Sequence, residues 1–311
     1  MLWEELSSHH IAKVSRDSVC VLPTGAVEQH GPHLPLGTDA LIAEAVAARL
    51  DEACGGRLLV LPAQRIGCSE HHMGFAGTLT FSHETFAAAA METIGSVIRH
   101  GFRRILVLNA HGGNNAIGGV IAEKASSRWP DAEVVWTAWF RAAAEGVRDL
   151  VEGEYPSAGH ACEVETSVML ALYPELVDMT LAQDDGIPPA APQLRGGMFE
   201  ATAATRSLPF DRLSRRGVFG KPTLATTEKG KRILALTVKS LRELVESCWP
   251  SAFAAPVRAA AEGRPFAPSH EGAGFSPLRP YGSFGGPDEA PAAKRPGEGG
   301  HPRPETREIH S

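Results

Sequence analysis

Ser18-Val-Cys-Val-Leu-Pro-Thr-Gly-Ala-Val-Glu-Gln-His-Gly-Pro-His-Leu-Pro-Leu-Gly-Thr-Asp-Ala-Leu-Ile-Ala-Glu-Ala-Val-Ala-Ala-Arg-Leu50 holds an apolar run, a polar loop and an Ala-rich helical pattern in one passage. The run from Ser18 to Leu22 has the length and β-branched content of a buried strand and ends at Pro23. Residues 40–50 predict a helix, with Thr38 or Asp39 as its N-cap. The loop between them is too polar for a core and too rich in Gly and Pro for a regular element, and it carries Glu28, His30 and Asp39. Loops set on a rigid scaffold are where binding and catalytic residues concentrate.

The same sequence of strand, polar exit and helix recurs downstream. Leu58–Pro62 reads as a second strand, followed by a long polar loop from Gln64 to Thr78 and a helix from His83 to about Arg99 capped by Ser82. Ile105–Asn109 is a third strand that runs into Ala110-His-Gly-Gly-Asn-Asn115, whose glycines permit a sharp turn into a helix near 115–128. Val134–Ala138 is a fourth strand, and helical residues 140–152 lead to Gly159-His-Ala-Cys-Glu-Val-Glu-Thr-Ser167. Strands alternating with helices predict an α/β fold with a parallel or mixed sheet covered on both faces. Ligand sites in such sheets lie beyond the carboxyl ends of the strands, so Glu28 and His30, His71 and His72, and His111 are expected to meet at one rim. The periodicity weakens over 175–232, and a last helix is expected over 228–247. Residues 1–252 form the expected catalytic domain, and 253–311, dominated by Gly, Pro and charge, a disordered tail.

Composition narrows the function classes. The chain has 311 residues, 43% hydrophobic and 21% charged, and Lys+Arg 30 against Asp+Glu 36 leaves a net charge of −6. No basic block precedes the tail, which gives a nucleic-acid partner no electrostatic support. No apolar run reaches the ~20 residues of a membrane span, and Met1-Leu-Trp-Glu-Glu-Leu6 lacks the pattern of a signal peptide, so no membrane partner and a cytoplasmic location are expected. Five scattered cysteines without a CxxC pair fit reduced thiols rather than a disulfide framework or a thiolate zinc site.

Glu28, His30, Asp39 and His111, with the acidic pair Glu163 and Glu165, make an oxygen and imidazole set suited to Zn²⁺, Mn²⁺ or Fe²⁺. Two residues apart in an extended loop, Glu28 and His30 point the same way and can serve neighbouring ions, with a carboxylate such as Asp39 between them. Ion pairs about 3.5–4 Å apart activate water and polarise the group it attacks, which indicates hydrolysis. Other roles compete residue by residue. Asp39 can cap a helix, the Glu163/Glu165 pair can serve a helix dipole, and His111 can be a turn histidine.

Taken together, Glu28-Gln-His-Gly-Pro-His-Leu-Pro-Leu-Gly-Thr-Asp39, Asn109-Ala-His-Gly-Gly-Asn114 and His160-Ala-Cys-Glu-Val-Glu-Thr-Ser167 resemble, in order and spacing, the three signature blocks of the creatininase family. The resemblance implies a three-layer α/β/α fold, a homohexameric assembly as in several members, and two divalent ions per subunit hydrolysing an amide of a small molecule. It implies Glu28, His30, Asp39 and His111 as ligands, with Asp39 as the bridge, and His160 as the proton-transferring residue. Creatininase proper carries a ligand Glu where this chain has Gly113. A later carboxylate is expected to substitute, Glu165 first and Glu163 as the alternative, and creatinine is disfavoured as substrate. Cys162 stands where the family has Gly. Ser69, His72, Phe75, Gly77 and Thr78 match a further family pattern, which places His72 in the substrate pocket. Specificity is expected from 64–78, 136–160 (with Trp136 and Trp139) and 186–221. The resemblance thus implies a metal-dependent amidohydrolase. The alternatives are a non-catalytic, metal-stabilised binding or regulatory member, and a metal-dependent phosphoesterase with Arg65 and Lys221 recruited to hold phosphate.

Overall fold

A computed structural model describes residues 1–153, 158–199 and 202–254. The tail expected over 253–311 therefore lies outside the described residues except for Phe253 and Ala254. Along the chain run α1 (Ser8–Lys13), β1 (Val19–Thr24), α2 (Thr38–Ala53), β2 (Leu58–Val60), α3 (His83–Arg99), β3 (Arg104–Asn109), α4 (Asn115–Arg128) and β4 (Glu133–Ala138). The short α5 (Trp139–Ala142) and α6 (Ala144–Arg148) follow, then α7 (Glu163–Leu172), α8 (Thr227–Cys248) and α9 (Ser251–Ala254).

The four strands form one sheet in the order β2-β1-β3-β4, every neighbouring pair parallel. Strand alternation sends successive side chains to opposite faces. Val19 and Val21 of β1 join Leu106 and Leu108 of β3 in a core closed by Ile42 and Val46 of α2, Val168 of α7 and Leu241 of α8. Cys20 and Leu22 join Ile105 and Val107 in a second core closed by Phe86 and Ile94 of α3 and Ile121 of α4. Helices on both faces make the three-layer α/β/α arrangement. Burial on both faces explains why the strands read as continuous apolar runs.

Several boundaries differ from expectation: β2 ends at Val60 rather than Pro62, and the helical stretch expected over 140–152 is split into α5 and α6. β1 does not stop before Pro23 but carries it in register with Leu108. The carbonyls of Val21 and Pro23 accept from Leu61 and Gln64, so the imide nitrogen of Pro23 faces the flank where β2 has already ended at Val60, and no ladder donor is missed. Helix α2 begins at Thr38 with Gly37 in the capping position and no side-chain cap. The Thr38 hydroxyl instead donates to the carbonyl of Pro35 at 2.7 Å. Neither Thr38 nor Asp39 is the N-cap, and the Asp39 carboxylate is left for other partners. Among the described residues no helix is long and apolar enough to cross a membrane.

Candidate metal centre

The loop leaving β1 folds back on itself, with the Glu28 amide donating to the carbonyl of Leu36 at 2.8 Å, so that the loop and the first turn of α2 share one pocket. His30 Nδ1 lies 3.1 Å from the carbonyl of Glu28, which fixes its proton there and turns Nε2 toward Asp39 Oδ1, 3.1 Å away. His111, delivered by the loop after β3, repeats the arrangement. Its Nε2 meets the carbonyl of Cys68 at 3.0 Å, while Nδ1 faces Asp39 Oδ2 at 3.0 Å and Glu28 Oε1 at 3.3 Å. A ring nitrogen engaged by a backbone carbonyl, with the other aimed at carboxylates, is the orientation that prepares a histidine for a metal ion. Asp39 thus presents its two oxygens to two different histidines.

Glu28, His30, Asp39 and His111 are each no more than 2% exposed. Burial opposes the charge on Glu28, yet the neighbouring His111, His72 and His160 hold its carboxyl well below the usual range. Burial likewise opposes protonation of His30, but Asp39, Glu165 and Glu28 raise it to about 9, and Glu28 and Asp39 carry His111 well above its ordinary value. Buried carboxylates here demand positive charge.

The segment entering α7 separates the two carboxylates left open by the sequence. Glu165 joins His30 and His160, with one ligand atom from each lying within 4.8 Å of the others. Burial, before all else, pushes its carboxyl up to about 7. Glu163 engages Lys229 Nζ at 2.6 Å and the backbone amide of Glu152, away from the centre. Lys229 therefore neutralises a carboxylate that is 1% exposed. Lys229→Met is expected to destabilise the fold by about 3–5 kcal/mol through the unpaired buried charge, read as a lower urea midpoint at unchanged slope.

His160 is pinned by paired backbone hydrogen bonds with Phe219, at 3.0 and 2.8 Å. Its Nε2 lies 2.7 Å from the carbonyl of Gln29, and Nδ1 lies 3.6 Å from Glu28 Oε1. Burial, with His30 and His72 beside it, holds His160 well below its ordinary pKa. The left-handed position beside it is Ala161, at φ 49°, whereas Cys162 has φ −96°. A side chain at 162 therefore carries no backbone strain. Burial pushes the Cys162 thiol up to about 12, which leaves it an inert core group.

His72 lines the same cavity and approaches Glu28 Oε1 through Nε2 at 3.3 Å. Gln29, given no role in the sequence reading, holds it in place. Its amide nitrogen is 2.7 Å from His72 Nδ1, its amide oxygen accepts from Gly31, and its own carbonyl holds His160. His33, near enough in sequence to contact substrate, is instead 2.9 Å from Thr166 and ties the β1 loop to α7. Trp136 and Trp139 do not line the cavity. Trp139 is 1% exposed in the core, and Trp136 packs against Phe86. Phe210 and Met198, from the stretch without periodicity, form the cavity wall with Phe140. Arg65 pairs with Glu44 at the surface, and among the described residues neither Arg nor Lys lines the cavity.

The donor set fits divalent ions. Glu28 Oε2 and Glu165 Oε2 are buried without a hydrogen-bond partner, and an orphaned carboxylate oxygen at a cluster of imidazoles is what a cation satisfies. Glu28, His30 and Asp39 form another group whose ligand atoms lie within 4.8 Å of one another.

Comparison with known proteins follows the same lines. The family model described as "Creatininase: Creatinine amidohydrolase" matches residues 4–245. The chain is 32% identical over 240 residues to the mycofactocin precursor peptide peptidase of Mycobacterium ulcerans (strain Agy99), covering 73% of this chain and 82% of that protein. It is 29% identical over 269 residues to the creatinine amidohydrolase of Pseudomonas putida, covering 80% and 96%. A solved structure described as "Creatininase Mn" superposes with a TM-score of 0.69 at 28% identity, covering 80% of this chain and 98% of its own.

Proposed function

Because the chain belongs to the creatininase family, we propose that it hydrolyses the C–N bond of a small linear or cyclic amide at a centre of two divalent ions held by Glu28, His30, Asp39, His111 and Glu165. It is a hydrolase of that family, and its relatives' names describe a peptidase and an amidohydrolase, which act on amides of different size. The reading rests on Asp39, whose Oδ1 and Oδ2 face His30 and His111 at 3.1 and 3.0 Å, so that one carboxylate can serve two ions. Glu28 completes the His111 side and Glu165 the His30 side. Manganese, named for the solved relative, and zinc both suit such donors.

Bound divalent ions supply a water of lowered pKa and polarise the carbonyl it attacks. The chain's own residues do the rest. The Gln29 carbonyl fixes the proton of His160 on Nε2 and leaves the Nδ1 lone pair toward the centre. His160 begins as a base that takes a proton from the attacking water, then returns it to the departing nitrogen. His72, oriented by Gln29, donates to Glu28 and keeps that carboxylate from rotating away from the centre.

The cavity measures about 160 Å³, and Phe140, Met198 and Phe210 are the apolar side chains in its lining. This is below the roughly 300–1,000 Å³ of sites for drug-sized ligands, so it accepts a small substrate or the end of a longer one. Among the described residues no Arg or Lys lines the cavity, which favours a neutral amide over a phosphoester that calls for a cationic clamp. A panel of lactams, formamides, small peptides and phosphoesters tests the assignment. Cleavage of an amide, abolished by chelation and restored by Mn²⁺ or Zn²⁺, is expected. Cleavage of phosphoesters alone, or amide cleavage indifferent to chelation, contradicts it.

A further inference from the structure

We propose that His71 is an additional ligand to the ion on the Glu28–His111 side, an inference that rests on the metal-centre reading. His71 belongs to the loop after β2, which the ligand set above does not use. A ring nitrogen of His71, a carboxylate oxygen of Glu28 and a ring nitrogen of His111 lie within 4.8 Å of one another. The His71 and His111 rings are nearly parallel, at an interplanar angle of 15° and a centroid separation of 5.8 Å, so both edges can address one position.

Three observations support His71 as a ligand. Gln29 holds His72 through Nδ1 and His160 through Nε2, and the Cys68 carbonyl holds His111. Among the described residues no hydrogen bond is made to either ring nitrogen of His71, which leaves both free to bind. The buried oxygen Glu28 Oε2 is also without a hydrogen-bond partner. Finally, the His71 ring is seated over Gly113. A Cβ at residue 113 would stand 2.9 Å from His71 Cε1, 2.4 Å from His111 Nε2 and 2.3 Å from the carbonyl oxygen of Cys68. The Cys68 carbonyl and the His111 ring by themselves bar a Cβ at 113, and the His71 ring fills space beside the same glycine.

The test uses full-length metal-free protein titrated with Co²⁺, whose visible absorption reports coordination independently of turnover. Wild type is expected to take up two equivalents. His71→Ala and His71→Phe, the second keeping the ring's bulk against Gly113, are expected to bind one of the two at least ~10–100-fold more weakly, the loss that even an outer partner of a metal ligand produces. The corresponding absorption band changes with it. His71→Asp, which restores a donor, is expected to recover two-equivalent uptake. Wild-type affinity and spectrum in both His71→Ala and His71→Phe overturn the proposal while leaving the centre intact. Failure of the wild type itself to bind Co²⁺ overturns the centre and, with it, the role of His71.

Discussion

Asp39→Asn is expected to deplete both ion positions together and to lower kcat/KM by about 10³-fold or more. The reasoning is geometric. Oδ1 faces His30 Nε2 and Oδ2 faces His111 Nδ1, so neutralising this one group removes an anionic ligand from each side. Ions of this kind supply several kcal/mol of transition-state stabilisation, and each ~1.4 kcal/mol is tenfold in rate. Glu165→Gln supplies the contrast, because Glu165 groups with His30 and His160 but not with His111. It is expected to weaken one ion and spare the other. Elemental analysis of the two variants beside wild type checks the pattern. Equal loss in both variants, or no loss in Asp39→Asn, contradicts a bridging role. The side chain does not cap α2, so the fold is expected to survive the change, which circular dichroism verifies.

The second large effect is expected at His160. His160→Ala is expected to lower kcat about 10²–10⁴-fold, the range for losing a positioned proton carrier, with bound metal unchanged. The ring does not lie on the Asp39 bridge, its Nε2 is committed to the Gln29 carbonyl, and its Nδ1 stands 3.6 Å from Glu28. A drop in kcat without loss of metal separates proton transfer from ligation. A variant that loses metal in parallel with activity places His160 among the ligands instead, and one that keeps kcat within tenfold places the proton carrier elsewhere.

The layers of the fold were legible in the chain because apolar runs such as Ile105–Leu108 alternate with helical patterns, and two-sided burial leaves that signature. The loop clusters were legible for a related reason. Glu28 and His30 sit in a loop that no core or regular element explains, Asp39 opens the helix that follows, and strand order in a parallel sheet brings His111 beside them. What escaped was set by contacts distant in sequence. Gln29 has no local signal for its hold on His72 and His160, since those partners lie 43 and 131 residues away. Phe210 and Met198 come from a stretch without periodicity. The specificity expected of Trp136 and Trp139 dissolved into packing, because an aromatic after a strand looks alike whether it faces a cavity or a core. The cap expected at Thr38 or Asp39 failed because both side chains have stronger partners inside the loop.

The central claim is that Glu28, His30, Asp39, His111 and Glu165 hold two ions about one carboxylate. Anomalous scattering at the zinc or manganese edge, from crystals of the metal-loaded protein, tests it directly. The account predicts two peaks flanking Asp39, one among Oδ1, His30 Nε2 and Glu165, the other among Oδ2, His111 Nδ1 and Glu28. A single peak away from Asp39, or no peak from protein saturated with metal, would contradict it.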